Sequence, residues 1–219
     1  MTFGGTSVGD ASCFVRVADI IAQHLQRQPV VVVSAMSGVT NALLSLARQA
    51  QSGGTVTGSP LAEVMARHRQ VIREAIASPS EARQAEQVIA AFEQDLASIL
   101  TGICLVREAT PRSLDATAAF GEKMSAALLA AVLRSRGHKA RAISAEDLIV
   151  TDDNHGQAVP LFAASNRRIA HRVNAVLKQG EIPVITGFIA RSTSGATTTL
   201  SRGGSDFSAS IIGAALRAE

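Results

Sequence analysis

Three short segments rich in glycine and other small residues each stand directly before a predicted helix, and they constrain the fold more than any other feature of the sequence. They are Gly4-Gly5-Thr6-Ser7, Ser34-Ala35-Met36-Ser37-Gly38 and Gly203-Gly204-Ser205-Asp206. Glycine lets the backbone approach an anion closely, and the free N–H groups at a helix start favour negative charge. The repeated pattern therefore predicts a phosphate or carboxylate site. The sequence has neither a Walker P-loop nor a G-x-G-x-x-G dinucleotide loop.

Short apolar runs alternate with helical patterns along the chain. The four valines at 30–33 are typical of a fully buried strand. Further strands are predicted at 140–144, 148–151 and 182–189, with 193–200 returning as part of a hairpin. Helices are predicted over 10–26, 41–51, 60–77, 80–106, 111–136, 161–178 and 205–216. This alternation favours an α/β fold with a largely parallel sheet.

Two of the predicted helices, 60–77 and 80–106, differ from the rest because no strand separates them. A Gly-, Ser- and Thr-rich connection precedes them, and Ser78-Pro79 interrupts the helical pattern between them. Pro79 and Glu81 are both suited to the first turn of a helix. We interpret the pair as a helical hairpin, over about 52–108, inserted into the α/β pattern.

The composition argues against several classes of protein. The net charge is +3, the arginines are scattered among acidic residues, and aromatic residues make up 3% with no Trp or Tyr, which is unlike a nucleic-acid-binding surface. No uninterrupted apolar run reaches the ~18 residues expected of a membrane span, and no secretory pattern opens the chain. We expect a cytoplasmic protein without a membrane or nucleic-acid partner. Cys13 and Cys104 are interpreted as reduced core thiols, and the five histidines form no ligand pattern, so no metal site is predicted.

Four motifs in order resemble those of the aspartate kinases. They are Phe3-Gly4-Gly5-Thr6-Ser7-Val8, the run from Ser34 to Asn41, Gly121-Glu122-Lys123-Met124-Ser125, and the run from Thr198 to Asp206. The resemblance spreads over the whole chain. It implies that residues 1–219 are part of an amino-acid kinase domain, a three-layer α/β/α sandwich, in which the hairpin is similar to an insertion of the longer members.

The resemblance also implies a reaction and a set of site residues. The reaction is phosphorylation of the side-chain carboxylate of L-aspartate by ATP, with Mg²⁺, in lysine, threonine and methionine biosynthesis. In the implied substrate site Arg202 clamps the α-carboxylate, Glu122 accepts the α-ammonium group, Ser34 and Thr40 bond the side-chain carboxylate, and Thr199 and Ser205 help to fix the substrate. Asp206, Gly4 and Gly5 are the implied catalytic residues, and the nucleotide contacts are Gly4, Gly5, Thr6, Ser7, Gly38, Gly203 and Gly204.

Glu122 stands out from the residues alone as well. It lies between Phe120 and Met124 on an otherwise apolar helix, where an unpaired charge would be costly. Taken singly, Asp206 is better explained as a helix N-cap, and Arg202 as an exposed turn residue. The ordered set of motifs, together with Glu122, favours a functional role for all three.

Two departures from the family pattern set expectations of their own. Thr2 occupies the position where the family has a lysine before Phe-Gly-Gly-Thr-Ser, and a neutral hydroxyl cannot supply that positive charge. The chain ends at Glu219, before the segment that holds the nucleotide in the family, so we expect the C-terminal nucleotide lobe to be missing.

Two alternatives to an aspartate kinase stay open. The first is a non-catalytic binding or interaction module with the amino-acid kinase fold, favoured by Thr2 and by the end of the chain at Glu219. The second is a kinase of the same fold for glutamate, acetylglutamate or a nucleotide, which the Ser34–Asn41 and Thr198–Asp206 motifs disfavour. The apolar segment 207–216 predicts an exposed flank and self-association, in line with the homodimers that the resemblance implies.

Overall fold

The central sheet contains four parallel strands in the order β1, β2, β5, β3. The computed structural model of the protein describes residues 1–54, 59–201 and 203–218. The strands are β1 (Thr2–Phe3), β2 (Val31–Val33), β3 (Ala140–Ile143) and β5 (Ile182–Thr186). The valine run is a buried strand, as the sequence predicted. Because β1 and β2 are parallel neighbours, the glycine segments that follow them emerge at the same edge of the sheet.

A second, smaller sheet contains β4 (Val150–Thr151), β6 (Ile189–Ser192) and β7 (Thr197–Thr199). The antiparallel pairing of β6 with β7 confirms the predicted hairpin. The prediction of one strand over 182–189 was wrong, because the chain leaves the central sheet after Thr186 and enters the second sheet at Ile189. Phe188, with a φ of 63°, turns the backbone between the two sheets.

Helices cover both faces of the central sheet. Val31 and Val33 of β2 belong to one apolar core, and Val32 belongs to the other, since successive side chains of a strand point to opposite faces. The mostly parallel sheet with helices on two sides confirms the predicted α/β/α arrangement. The helices are α1 (Ala11–Ala22), α2 (Val39–Gln51), α3 (Ser59–Ala75), α4 (Pro79–Val106), α5 (Pro111–Ala118), α6 (Phe120–Ser135), α7 (Phe162–Lys178) and α8 (Gly204–Leu216).

The predicted helix over 111–136 is two helices, α5 and α6, that meet at Ala119. α6 is the central helix of the larger core, with both its apolar residues and Glu122 buried. The break allows α5 to turn toward β7 while α6 continues along the sheet. Residues 116–120 contain no proline, Asn or Asp, and a single glycine such as Gly121 is tolerated within a helix, so no strong local signal predicts the break.

The hairpin of α3 and α4 packs on the larger core beside α1, α2 and α6. Ser78 is the N-cap of α4, and Pro79 lies in the first turn, one residue before the predicted start at 80. Within the hairpin Arg69 pairs with Glu86 and Glu93, each at 2.7 Å. That 52–108 is an insertion stays a proposal, and residues 55–58 of that range lie outside the described part of the chain.

Two apolar features differ from the expectations. The stretches Pro79–Val106 and Pro111–Ser135 are long and apolar enough to cross a membrane. Of the apolar 18-residue portion of each, 83% is buried within the fold in the second stretch and 22% in the first. A core helix passes the same test, so length and composition alone do not indicate a membrane span here. The expected exposed flank at 207–216 was wrong in large part, because Ile211 and Ile212 are buried in the smaller core, whereas Phe207 is 40% exposed.

Candidate functional site

An open cleft of ≈ 490 Å³ lies where the three glycine segments converge. β1 and β2 place the first two segments side by side, and the start of α8 brings in the third. The sequence predicted that these segments share an anion site, and the structure brings them to one cleft. The predicted residues that line it are Gly4, Gly5, Thr6, Ser34, Gly38, Thr40, Glu122, Gly203, Gly204, Ser205 and Asp206.

Two predicted site residues within the described ranges do not belong to this lining. Ser7 is exposed at the end of the first segment, and its N–H donates to the Gly4 carbonyl at 2.9 Å. Thr199 is buried, and its hydroxyl donates to Asp115 rather than facing the cleft. The hydroxyl of Thr199 is thus engaged away from the cleft, and the predicted nucleotide contact of Ser7 stays a prediction. Arg202 falls outside the described residues, and its predicted role stays a prediction.

Glu122 is a buried carboxylate at the wall of the cleft, with only 3% of the residue exposed. Its Oε1 accepts a hydrogen bond from the Ala35 N–H at 3.2 Å. Its Oε2 is buried and has no hydrogen-bond partner among the residues that the structure describes. Burial raises the pKa of Glu122 to about 8, against the opposing effect of the Ala35 N–H. A cation arriving at Oε2 would satisfy this atom and favour the ionised form.

Gly121 allows the close approach that places Glu122 beside Ala35. A Cβ at Gly121 would lie 2.7 Å from the Ala35 Cβ and 3.4 Å from Cγ1 of Val39. Real Cβ atoms do not approach so closely, so the first turn of α6 packs against the second glycine segment only because residue 121 has no side chain. The Gly-Glu order of the sequence motif thus has a steric reason.

The hydroxyl pair of Ser34 and Ser205 joins the second and third glycine segments across 2.8 Å. Ser34 follows β2, and Ser205 lies in the first turn of α8. Each hydroxyl can donate one hydrogen bond and accept others, so the pair can also bind a carboxylate or phosphate oxygen in the cleft. Asp206, the next residue of α8, lines the cleft as well.

A second buried acid, Asp115, supports the site from behind and was missed by sequence reasoning. Its carboxylate accepts hydrogen bonds from the Thr199 hydroxyl at 2.5 Å, from Nδ1 of His155 at 3.0 Å and from the Gly156 N–H at 2.9 Å. These bonds tie α5 and the 152–157 loop to the end of β7, directly before the third segment. Asp115 stands in an ordinary helical context, and only its burial in the fold reveals the role.

The lysines at 123, 139 and 178 all fall in the described ranges, and none of them lines the cleft. Thr2 is exposed on β1 and does not line it either. Lys123, the lysine within the Gly-Glu motif, points away and pairs with Glu146 at 2.8 Å in a separate groove. In the described ranges, no group of three or more His, Cys, Asp or Glu side chains converges as a metal site.

The fold and the cleft can now be compared with known proteins. The model of the amino acid kinase family matches residues 1–219. The chain belongs to the amino acid kinase family. Among curated proteins, it is 37% identical over 218 residues to aspartokinase 3, chloroplastic, of Arabidopsis thaliana, covering 99% of the chain and 38% of that relative. It is 34% identical over 220 residues to a bifunctional aspartokinase/homoserine dehydrogenase 2, chloroplastic, of the same plant, covering 99% and 23%.

Solved structures show the same relationship for this amino acid kinase. Escherichia coli aspartokinase III in complex with lysine and aspartate matches with a TM-score of 0.88 and 29% identity, over 99% of this chain and 46% of that one. The same enzyme in complex with aspartate and ADP matches with a TM-score of 0.83 and 30% identity, over 99% and 46%. The predicted resemblance to aspartate kinases and the predicted fold are thereby confirmed. The chain spans less than half the length of these relatives.

One expectation about this amino acid kinase is contradicted. The sequence analysis predicted a cytoplasmic protein, whereas the curated relatives above, and aspartokinase 1 of Arabidopsis thaliana at 35% identity, are chloroplastic proteins. Composition was a poor guide here, because the compartment of a protein is set by targeting signals and not by the packing of its domain.

Proposed function

We propose that this amino acid kinase chain binds L-aspartate in the cleft and serves the transfer of the ATP γ-phosphoryl group to the substrate's side-chain carboxylate. The observation that carries the proposal is Glu122, a buried carboxylate with one oxygen that has no partner among the described residues, set among three glycine-rich segments. The pair of features fits a ligand that has both an ammonium group and anionic groups, as a zwitterionic amino acid beside a phosphate has. The relatives named above are aspartokinases, and two of the solved structures hold aspartate.

Different residues of the cleft are proposed to bind the ammonium group and the carboxylates of the substrate. Glu122 receives the α-ammonium group, which offsets the cost of ionising a buried carboxylate. Ser34, Ser205 and Thr40 hold the side-chain carboxylate through their hydroxyls, and Arg202 is proposed to clamp the α-carboxylate, for which a guanidinium has a matching geometry. One carboxylate oxygen attacks the γ-phosphorus, the bond to the ADP oxygen breaks, and no proton has to be removed from the nucleophile.

The glycine segments fit the phosphate groups of a nucleotide. Gly4, Gly5 and Gly38 line the cleft without side chains that would hold an anion away from the backbone N–H groups. Bound MgATP supplies the phosphoryl group and the metal charge that neutralises it during transfer. Asp206, at the start of α8, is the acidic residue placed to orient groups there. One of the solved relatives holds ADP as well as aspartate.

An ADP-release assay with MgATP and L-aspartate tests the proposal. We expect turnover that depends on both substrates, and a loss of about 100-fold or more in kcat/KM for Glu122→Gln, because the ammonium group loses its counter-charge. Glu63→Gln is the matched control, since Glu63 is an exposed residue of α3 outside the cleft. Equal turnover by both variants would contradict the role of Glu122.

A non-catalytic binding module remains the second candidate, favoured by one observation. Among the residues that the structure describes no lysine lines the cleft, and Thr2 stands where the resembled family has one. A folded chain that binds L-aspartate but releases no ADP above background, at any MgATP concentration, would favour this candidate.

A homodimer, which the resemblance implied, stays a prediction that light scattering would check.

A further inference from the structure

An arginine of the helical hairpin reaches the two glycine segments of the cleft. Nη2 of Arg67, on α3, donates to the Ser37 carbonyl at 2.9 Å and to the Gly9 carbonyl at 3.3 Å. Ser37 belongs to the second segment, and Gly9 directly follows the 3₁₀ turn Gly5–Val8 of the first. A single side chain thus connects the outer ends of both segments to a hairpin that supplies no residue to the cleft lining.

The carbonyl that Arg67 holds belongs to a tight turn. The Val39 N–H donates to the Met36 carbonyl at 3.0 Å, which closes a β-turn over Met36–Val39. Gly38 has φ 79° and ψ −11°, and Ser37 is not among the residues with positive φ, so the turn is type II. In the alternative type I turn the central peptide, between Ser37 and Gly38, is rotated by about half a turn.

The orientation of that peptide decides what the cleft presents to an anion. In a trans peptide the C=O and the N–H point in opposite directions. Because the Ser37 carbonyl points to Arg67, the Gly38 N–H points away from the hairpin. Gly38 lines the cleft, and within the described ranges its N–H has no hydrogen-bond partner. A flip to type I would exchange this donor for the Ser37 carbonyl, whose partial negative charge repels an anion.

We propose that Arg67 is a positioning residue that holds the Ser37–Gly38 peptide in the orientation that offers the Gly38 N–H to an anionic oxygen in the cleft. The proposal rests on the proposed function for the identity of that anion, a phosphoryl or carboxylate oxygen. The hairpin then has a role beyond covering the core, because its movement or loss would release the peptide. The guanidinium suits this task, since the two hydrogens of one Nη group can serve one carbonyl each.

The kinetic test compares Arg67→Ala with Arg69→Ala. Arg69 lies two residues along the same helix, but it pairs with Glu86 and Glu93 inside the hairpin and contacts neither glycine segment. We expect kcat to fall by about 10- to 100-fold in Arg67→Ala, less than the ~10²–10³ that follows removal of a direct transition-state donor. Arg67→Lys recovers part of the loss, and Arg69→Ala stays within about twofold of the wild type, as expected for a half-exposed pair. Equal losses in Arg67→Ala and Arg69→Ala, or a lower Tm with unchanged kcat in Arg67→Ala, would overturn the proposal.

A double-mutant cycle tests whether Arg67 acts through the peptide. Gly38→Ala disfavours the positive φ that the type II turn requires, while the added Cβ meets nothing within 4 Å. If both residues act on one peptide, the double variant loses less activity than the product of the two single losses. Independent, multiplicative losses would show that Arg67 acts elsewhere.

The NMR signal of the Gly38 amide in the ligand-free protein distinguishes a failure of the Arg67 proposal from a failure of the proposed catalysis. We expect this NMR signal to shift in Arg67→Ala and to stay in place in Arg69→Ala, because only the first change releases the peptide. Such a result supports the role of Arg67 even if the wild-type chain releases no ADP, in which case the proposed catalysis alone fails. An unmoved Gly38 signal in Arg67→Ala contradicts the role of Arg67, whatever the turnover.

Discussion

The hydroxyls of Ser34 and Ser205 lie 2.8 Å apart, although 171 positions separate them in the chain. This hydrogen bond joins the segment after β2 to the first turn of α8. The second and third glycine segments are therefore in direct contact through their side chains.

The shared bond predicts non-additive effects on stability. Ser34→Ala and Ser205→Ala should each lower the free energy of unfolding by about 1 kcal/mol, the net contribution of one hydrogen bond. The double variant should lose less than the sum, because both changes remove the same bond. Urea denaturation of the four proteins checks this, and fully additive losses would show that the bond does not stabilise the folded chain.

The buried carboxyl of Glu122 predicts an unusual dependence of stability on pH. Its pKa in the folded protein, raised to about 8 by burial, is above the unfolded value of 4.5. Between these values the folded state binds more protons than the unfolded state. The contribution of Glu122 to the free energy of unfolding is therefore fully present below pH 4.5 and is lost as pH rises through 8. In the ligand-free wild type, the free energy of unfolding should fall by an amount on the order of a few kcal/mol over this range, and Glu122→Gln should not show this fall. Chemical denaturation from pH 5 to 9 gives the slope of the free energy of unfolding against pH for each protein. Equal slopes for the wild type and Glu122→Gln would contradict the prediction.

His68 on α3 predicts the opposite trend on the acidic side. Burial lowers its pKa from 6.5 to about 4, and its Nδ1 donates to the Val64 carbonyl at 2.7 Å, which leaves Nε2 unprotonated in the neutral ring. Here the unfolded state binds more protons between pH 6.5 and 4. The contribution of His68 to the free energy of unfolding is therefore present above pH 6.5 and is lost as pH falls through 4. The ring signals of His68 in NMR spectra should remain those of a neutral ring at pH 5. A midpoint near 6.5 would show that the ring is not buried in solution.

The close contact at Gly121 predicts that a single methyl group disturbs the cleft. Gly121→Ala should lower the free energy of unfolding by about 1–3 kcal/mol, as overpacking does, and should weaken L-aspartate binding because the Ala35 N–H moves away from Glu122. Gly102→Ala on α4 is the matched control. Its added Cβ meets nothing within 4 Å, so it should stabilise the helix by about 0.5–1 kcal/mol. If both alanine variants gave the same stability and the same binding, the contact at Gly121 would have no role.

The sequence predicted an anion site from the repeated glycine pattern. For the first two segments the fold supplies the reason for their convergence, because the parallel strands β1 and β2 end at the same edge of the sheet. The sequence could not predict the passage from β5 to β6, since the apolar run over 182–189 continues while the backbone turns at Phe188. Nor could it predict the break at Ala119, where the residues on both sides favour a helix.

The residues missed within the site share a different cause. Arg67 lies 30 positions from Ser37, and Asp115 lies 84 positions from Thr199. Neither sits in a motif with a local signature, so only the packing of the hairpin and of α5 brings them to the cleft. For the same reason Thr199 was assigned to the substrate from its motif, whereas the structure points its hydroxyl at Asp115.

Calorimetry of L-aspartate binding in two buffers of different ionisation enthalpy tests most directly the claim that the unpartnered oxygen of Glu122 receives the substrate's ammonium group. At pH 7 the ligand-free carboxyl, with its pKa near 8, is mostly protonated. The wild-type chain should therefore release a proton when aspartate binds, and Glu122→Gln should bind more weakly and release none. Binding that releases no proton and is equally strong in Glu122→Gln, or a folded wild-type chain that binds no aspartate, would contradict the account.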